Sequence, residues 1–208
     1  MDKPKLIYVY DPLCGWCYGF SPVMQQIKKD YETELDFEIV SGGLAIGERA
    51  APIKVTYSYI KNALVTVEKR TGVVFGPNFR EMAEEGSYMY NSEPACMALT
   101  AIKKIKPEIA FNYAHTLHDL LFRDGISLND TNTYIELARK YKIDEHQFLK
   151  EFNASKEDTY SEFSYAKSLG VTGFPTLILQ KDGQNFVLAR GYDSFKNVNG
   201  SLRKILKK

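Results

Sequence analysis

The stretch D-P-L-C-G-W-C-Y-G-F-S-P, residues 11–22, constrains this chain more than any other. It follows K-L-I-Y-V-Y, residues 5–10, a short β-branched and aromatic run ended by Asp11-Pro12, which reads as a buried strand. From Cys14 to about Tyr31 the pattern turns helical, with Val23, Ile27 and Tyr31 recurring on one face. Pro22 lies inside that helix, removes one backbone donor and should kink its first turns. L-D-F-E-I-V, residues 35–40, reads as a second strand, ended by Ser41-Gly42-Gly43. Strand, helix, strand over so short a span is a βαβ unit, so the two strands should run parallel.

Cys14 thus falls just after a strand, at the start of a helix. Unpaired backbone N–H groups and the positive end of the helix dipole favour a negative sulfur there, and the thiolate is the reactive form of cysteine. Cys17 is about one turn on, so the two sulfurs can meet, and it should lie deeper. Cys14 is the candidate nucleophile and Cys17 the candidate resolving thiol. Gly15 gives close backbone access and Trp16 an apolar surface for a partner. Glycine and tryptophan together suggest an exposed turn. Zinc sites share this spacing but need two further ligands. His115 and His118, in H-T-L-H, have a workable separation, yet Leu117, Leu120 and Leu121 on the same helix make them edges of a packed face. No metal is expected. Cys96, amid small apolar neighbours, reads as a buried inert thiol.

Between residues 47 and 153 helix signals dominate, over 49–70, 78–85, 93–105, 107–123, 130–141 and 144–153. Another helix follows at about 156–168. G-F-P-T-L-I-L-Q-K-D-G-Q-N-F-V-L-A-R-G, residues 173–191, then reads as a hairpin turning at Asp182-Gly183. A last helix is expected over 194–207. The chain is therefore read as an α/β domain built from residues 1–46 and 154–208, carrying an all-helical insertion, 47–153. Pro175, at a strand start after a loop, is compatible with a cis peptide bond.

Bulk properties narrow the partners. With 208 residues, 44% of them hydrophobic, the chain can bury a sizeable core. A net charge of +1 and the lack of a basic stripe give no reason to expect nucleic acid. The terminal R-K-I-L-K-K reads as a solvated last helical turn. No apolar run approaches the roughly 18 residues that span a membrane, and M-D-K-P-K lacks the apolar core of a secretory signal. Three cysteines are too few for a disulfide-stapled scaffold. A cytoplasmic location is expected if the chain is full length, and a periplasmic one if a leader has been removed.

D-P-L-C-G-W-C after a strand, G-F-P-T before a strand and a helical block between them resemble the thioredoxin superfamily, in particular its DsbA-like branch. C-G-W-C-Y-G-F-S-P and N-S-E-P-A-C-M-A-L resemble the FrnE-like and protein-disulfide-isomerase members of that branch. The resemblance implies a thioredoxin fold with an inserted helical domain, Cys14 and Cys17 as a redox pair, Pro175 as a cis proline packed against it, and Phe174 before that proline. It implies thiol–disulfide exchange on protein or peptide thiols, a redox-active disulfide in place of a cofactor, and glutathione or a reductase as electron partner. Members often carry a buried acid on the first strand, where this chain has Tyr8. A phenol accepts a proton poorly at neutral pH, so the acceptor for the resolving thiol is unassigned. Two alternatives remain. Kappa-class glutathione transferases and 2-hydroxychromene-2-carboxylate isomerases share the insertion but typically have serine in place of Cys14. A non-catalytic docking module would use the groove near Trp16 and Phe174.

Overall fold

Alternation in β1 (Lys5–Tyr10) sends Leu6, Tyr8 and Tyr10 to one face and Ile7 and Val9 to the other, and all five are buried. A strand buried on both faces belongs inside a sheet covered by helices on each side. The computed structural model, which describes residues 3–207, has that arrangement. β2 (Asp36–Ser41) pairs with β1 in parallel, as the βαβ reading requires, with Tyr8 opposite Ile39. β5 (Thr176–Lys181) pairs antiparallel on the other side of β1, and β6 (Gln184–Arg190) completes the order β2-β1-β5-β6. The hairpin turns where expected. Asp182 and Gly183 take φ of 50° and 72°, the left-handed pair that a two-residue turn matching strand twist requires.

α1 (Gly15–Tyr31) lies on the Tyr8 face, with the Phe20 ring 5.9 Å from that of Tyr8, and runs on through Pro22. α9 (Phe195–Leu206) packs against α1 and β6. On the opposite face, α8 (Lys156–Ser168) lays Ala166 and Tyr165 over Ile7, Val9, Val40 and Ile178. Met1, Asp2 and Lys208, the tips of the outer segments and of the basic C-terminal run, lie outside the described residues.

Residues 47–153 add no strand to this sheet. They form a two-residue ladder, β3 (Ala51–Pro52) with β4 (Met89–Tyr90), and the helices α2 (Tyr57–Thr71), α3 (Pro77–Glu85), α4 (Glu93–Ile105), α5 (Ala110–His118), α6 (Thr131–Lys140) and α7 (Glu145–Ala154). Two expected helices differ. The one placed from residue 49 begins only at Tyr57. Gly47–Arg49 and Ile53–Val55 form single 3-10 turns around the ladder, and Pro52 has no N–H to extend a helix. The one placed over 107–123 is a 3-10 turn, then α5, then a wider π turn over Asp119–Arg123.

The helical block is keyed to the sheet by partly buried polar contacts. Lys103 on α4 pairs with Glu162 on α8 and donates to the Ile39 carbonyl at 3.1 Å, while Glu162 accepts the Ser41 N–H at 3.0 Å. It is keyed to α1 by aromatic rings: Tyr18, Phe75, Phe79 and Phe122 form a cluster with neighbouring centroids 5.1–5.9 Å apart. Gly76 allows that cluster to close. Its N–H donates to the Phe122 carbonyl at 2.8 Å, and a Cβ there would stand 1.8 Å from the Arg123 carbonyl oxygen. Two backbones meet at this point, so neither yields cheaply. Gly76→Ala is expected to cost about 2–3 kcal/mol. Urea denaturation measures it, and a midpoint equal to wild type would show that the two segments separate freely.

Candidate functional site

The end of β1 delivers the chain into α1 through Asp11. The Asp11 carbonyl accepts the Cys14 N–H at 3.1 Å, which tightens the turn and sets Cys14 as the N-cap of α1. The Cys14 sulfur accepts the N–H of Cys17 at 3.3 Å, the place a serine or aspartate oxygen takes at ordinary helix starts. Cys17 lies one turn deeper and is fully buried. Both sulfurs are thiols. The sequence suggested an exposed turn, but Cys14 retains only 6% of its accessible surface. The helical block covers it: a Cβ on Gly15 would sit 3.3 Å from the Phe75 ring, and the Tyr90 hydroxyl donates to the Leu13 carbonyl.

On the far side of Cys14 lies the loop before β5. The Phe174–Pro175 peptide bond is cis, and the Phe174 carbonyl stands 3.5 Å from the Cys14 sulfur. The Phe174 ring fills the space a side chain on Gly42 would need, since a Cβ there would come within 2.0 Å of it. Gly42 thus fixes Phe174. The sequence shows it only as the end of a strand, because nothing local reveals a ring arriving from 132 positions away. Trp16 is partly buried, its ring 6.4 Å from Tyr192 and 5.4 Å from the Arg70 guanidinium of α2, a cation–π pair. From Cys14 a groove of about 1120 Å³ opens between α2 and α8, lined by Trp16, Leu44, Tyr59, Phe163 and Phe174 with Arg49 and Lys167. Tyr59 and Val55 leave 78% and 66% of their surfaces exposed at its rim.

Asp11 was unassigned by sequence and proves central. Its carboxylate is fully buried and accepts from Leu13 N–H (2.9 Å), the Ser92 hydroxyl (2.8 Å) and Leu44 N–H (2.7 Å). Burial raises its pKa from 3.8 to about 6, against the pull of those donors. Ser92, at the start of α4, spends its hydroxyl here instead of capping that helix. Burial, with the neighbouring Cys14 next, pushes the Cys17 thiol well above its ordinary value. Burial likewise raises the Tyr8 phenol, whose hydroxyl lies 3.5 Å from the Cys17 carbonyl. The two histidines do not converge on a ligand. His118 is buried with Nε2 3.0 Å from the Asp11 carbonyl, whereas His115 Nδ1 bonds the Ser21 hydroxyl at 2.8 Å. Among the described residues no three His, Cys, Asp or Glu side chains gather as metal ligands. Cys96, on α4, is buried, and burial raises its thiol too.

Against known families, residues 5–203 match the DSBA-like thioredoxin domain. The chain belongs to this family. Its enzyme class is thiol–disulfide oxidoreductase, and the fold is the α/β thioredoxin fold with inserted helices. The structure of this DsbA-like chain is similar to that of a proposed protein disulfide isomerase from Nitrosomonas europaea, with a TM-score of 0.89, 26% identity, and 99% of this chain and 98% of that chain covered. It is also similar to the cytosolic disulfide reductase DsbM from Pseudomonas aeruginosa, with a TM-score of 0.84, 25% identity and 98% of each chain covered. A 2-hydroxychromene-2-carboxylate isomerase shares the fold at 16% identity, with a TM-score of 0.67, covering 98% of this chain and 96% of that one. Among curated proteins no sequence matches. No helix among the described residues of this DsbA-like chain is long and apolar enough to cross a membrane.

His118 provides a check on the site's electrostatics. Burial lowers its pKa from 6.5 to about 4, with the His115 charge adding to that and the Asp11 carbonyl opposing. As pH falls through this window, the unfolded chain binds a proton that the fold refuses, so stability present above pH 6.5 is lost. Asp11 runs the other way, its folded form holding a proton between about 6 and 3.8 that the unfolded chain releases. Comparing wild type with His118→Phe isolates the histidine. The variant loses one hydrogen bond at every pH, about 1 kcal/mol, but should gain about 2–3 kcal/mol relative to wild type between pH 7.5 and 4.5. Paired urea titrations at the two pH values read this; a constant difference would mean that His118 is not held neutral.

Proposed function

We propose that Cys14 and Cys17 exchange disulfides with protein or peptide thiols. The observation that carries this is the Cys14 sulfur at the tip of α1, with the Cys17 amide on one side, the Phe174 carbonyl on the other and the groove in front. In the reducing direction the Cys14 thiolate attacks a substrate disulfide, forming a mixed disulfide and releasing one substrate thiolate. Cys17 then gives up its proton, attacks the Cys14 sulfur and releases the second thiolate. The oxidising direction reverses these bonds, and the reduction potential against that of the surroundings selects between them. No cofactor is needed, because the disulfide itself carries the two electrons.

Gly15, Trp16, Phe174 and Pro175 shape the substrate site in this reading. An extended peptide beside the Phe174 backbone would add as a short strand, with apolar side chains against Leu44 and Phe163. Glutathione is the proposed small-thiol partner. Arg49 and Lys167 offer cations to its carboxylates and Glu48 an anion to its amine, and a structure of the DsbM reductase has been solved with it. Residues 47–153 act as the helical insertion domain that covers the site and the outer segments as the thioredoxin-like domain that carries it. Neither nucleic acid nor membrane enters the scheme, and a cytosolic role follows the example of DsbM.

Cys14→Ser should abolish insulin reduction by glutathione or dithiothreitol, while Cys17→Ser should accumulate mixed disulfides visible by mass spectrometry. Full activity in Cys14→Ser would refute the assignment. Glutathione conjugation that survives loss of both cysteines would favour the transferase alternative.

A further inference from the structure

The seam between α1 and α5 does not close. A cavity of about 250 Å³ lies there over the sheet, with Ser21, Met24 and Lys28 on one wall and Phe111, Ala114 and His115 on the other. It shares no lining residue with the groove that leads to Cys14, so thiol exchange gives it no task. Close-packed interiors rarely leave a space much wider than a water molecule. An apolar cavity of roughly 150 Å³ already holds benzene. This one opens to solvent and has room for a ring with a short polar arm.

The chemistry of the lining changes from one end to the other. Ser21 and Lys28 both lie on α1, and at 1.5 Å per residue they stand about 10 Å apart along its axis. At the Ser21 end the serine is buried and its hydroxyl is hydrogen-bonded to His115 Nδ1 at 2.8 Å. That pair offers both a donor and an acceptor to a third polar group. The middle is apolar, with Met24 and Ile39 buried and Phe111 partly so.

The far end is cationic, with Lys28 and Lys29 set against the single carboxylate of Glu32. The Lys28 ammonium lies 5.9 Å from the ring centres of both Phe37 and Phe111. Among the described residues neither Lys28 nor Lys29 is in an ion pair. Two ring faces therefore hold the Lys28 cation, and an incoming anion can pair with it without displacing a carboxylate.

We propose that this cavity is a binding site for a small hydroxyaryl carboxylate. The carboxylate pairs with Lys28, the ring lies against Met24, Ile39 and Phe111, and the hydroxyl on the far side of the ring bonds to the Ser21–His115 pair. No covalent step is involved, and the site stands independently of Cys14 and Cys17. A bound molecule would join α1 to α5 of the insertion.

The probe is 4-hydroxyphenylacetate, titrated into the full chain at pH 7 and followed by calorimetry. One molecule should bind per chain, with a Kd below about 1 mM, a reasonable affinity for so small a ligand. Phenylacetate, which lacks the hydroxyl, should bind several-fold more weakly. Tyramine, which carries an amine where the acid stands, should bind more weakly still. Lys28→Gln removes the cation at a partly exposed position and should weaken the acid about tenfold, while insulin reduction by the variant stays at the wild-type rate. Ala114→Met fills the space and should abolish binding. No saturable binding up to about 10 mM would overturn the proposal. So would an affinity unchanged by Lys28→Gln, which would put the acid elsewhere on the molecule, or tighter binding of tyramine than of the acid, which would mean that Glu32 governs the site.

Discussion

Five donors converge on Asp11, and the rest of the site depends on them. Its carboxylate collects the Leu13 and Leu44 amides and the Ser92 hydroxyl, and its carbonyl collects the Cys14 amide and His118. These partners belong to the cysteine loop, the segment after β2, the start of α4 and the end of α5. One buried carboxylate therefore sets the turn that makes Cys14 a helix cap and also holds the inserted helices over it. Burying a carboxylate is costly unless donors surround it, and this one sits in a ring of them. An alanine at this position would leave three buried donors without a partner, at about 1–3 kcal/mol each. The clamp serves geometry more than stability, because the raised pKa of Asp11 shows that the fold opposes its charge.

Much of this was legible in the sequence because it is local. The run of residues 5–10 announces a strand, the spacing of Cys14 and Cys17 announces one helical turn, and Asp182-Gly183 announces the hairpin. α4 and α8 fall where the periodicity placed them, at Glu93–Ile105 and Lys156–Ser168. What escaped was long-range. Asp11 looked like punctuation before Pro12, and its partners at Leu44, Ser92 and His118 come from three separate segments. Gly42 looked like the end of a strand until Phe174 arrived against it. Ser92 stands at a helix start, where a serine commonly serves as the cap. A stronger acceptor, distant in sequence, took its hydroxyl. The exposed turn inferred from Gly15 and Trp16 failed for the same reason, since Phe75 and Tyr90 reach it from the insertion.

The insertion thereby changes what Cys14 and Cys17 can meet. With Cys14 almost buried, its sulfur is approached down the groove between α2 and α8 and is no protruding tip. The walls are largely apolar, but Arg49 and Lys167 place charge among them. Arg70 over Trp16 ties α2 directly to the residue between the cysteines. α2 thus lines the approach to Cys14 and also contacts the dipeptide that separates the two sulfurs.

The same crowding suits the phenol of Tyr8 on β1. Tyr8 packs between Tyr10, Phe20 and Phe111, with centroids 5.7–6.4 Å away. A carboxylate in that aromatic wall would be desolvated without the donors that sustain Asp11, and it would hold its proton instead of accepting one. A neutral hydroxyl fits the wall at no charge cost and still offers both a proton and a lone pair. Placing the negative charge at Asp11, where backbone amides surround it, leaves a neutral group, Tyr8, on the other side of Cys17. Burial and the nearby Cys14 and Asp11 already raise the Cys17 thiol, and a further anion beside it would raise it more. The ring of donors at Asp11 and the uncharged hydroxyl at Tyr8 are therefore two halves of one electrostatic arrangement around Cys17.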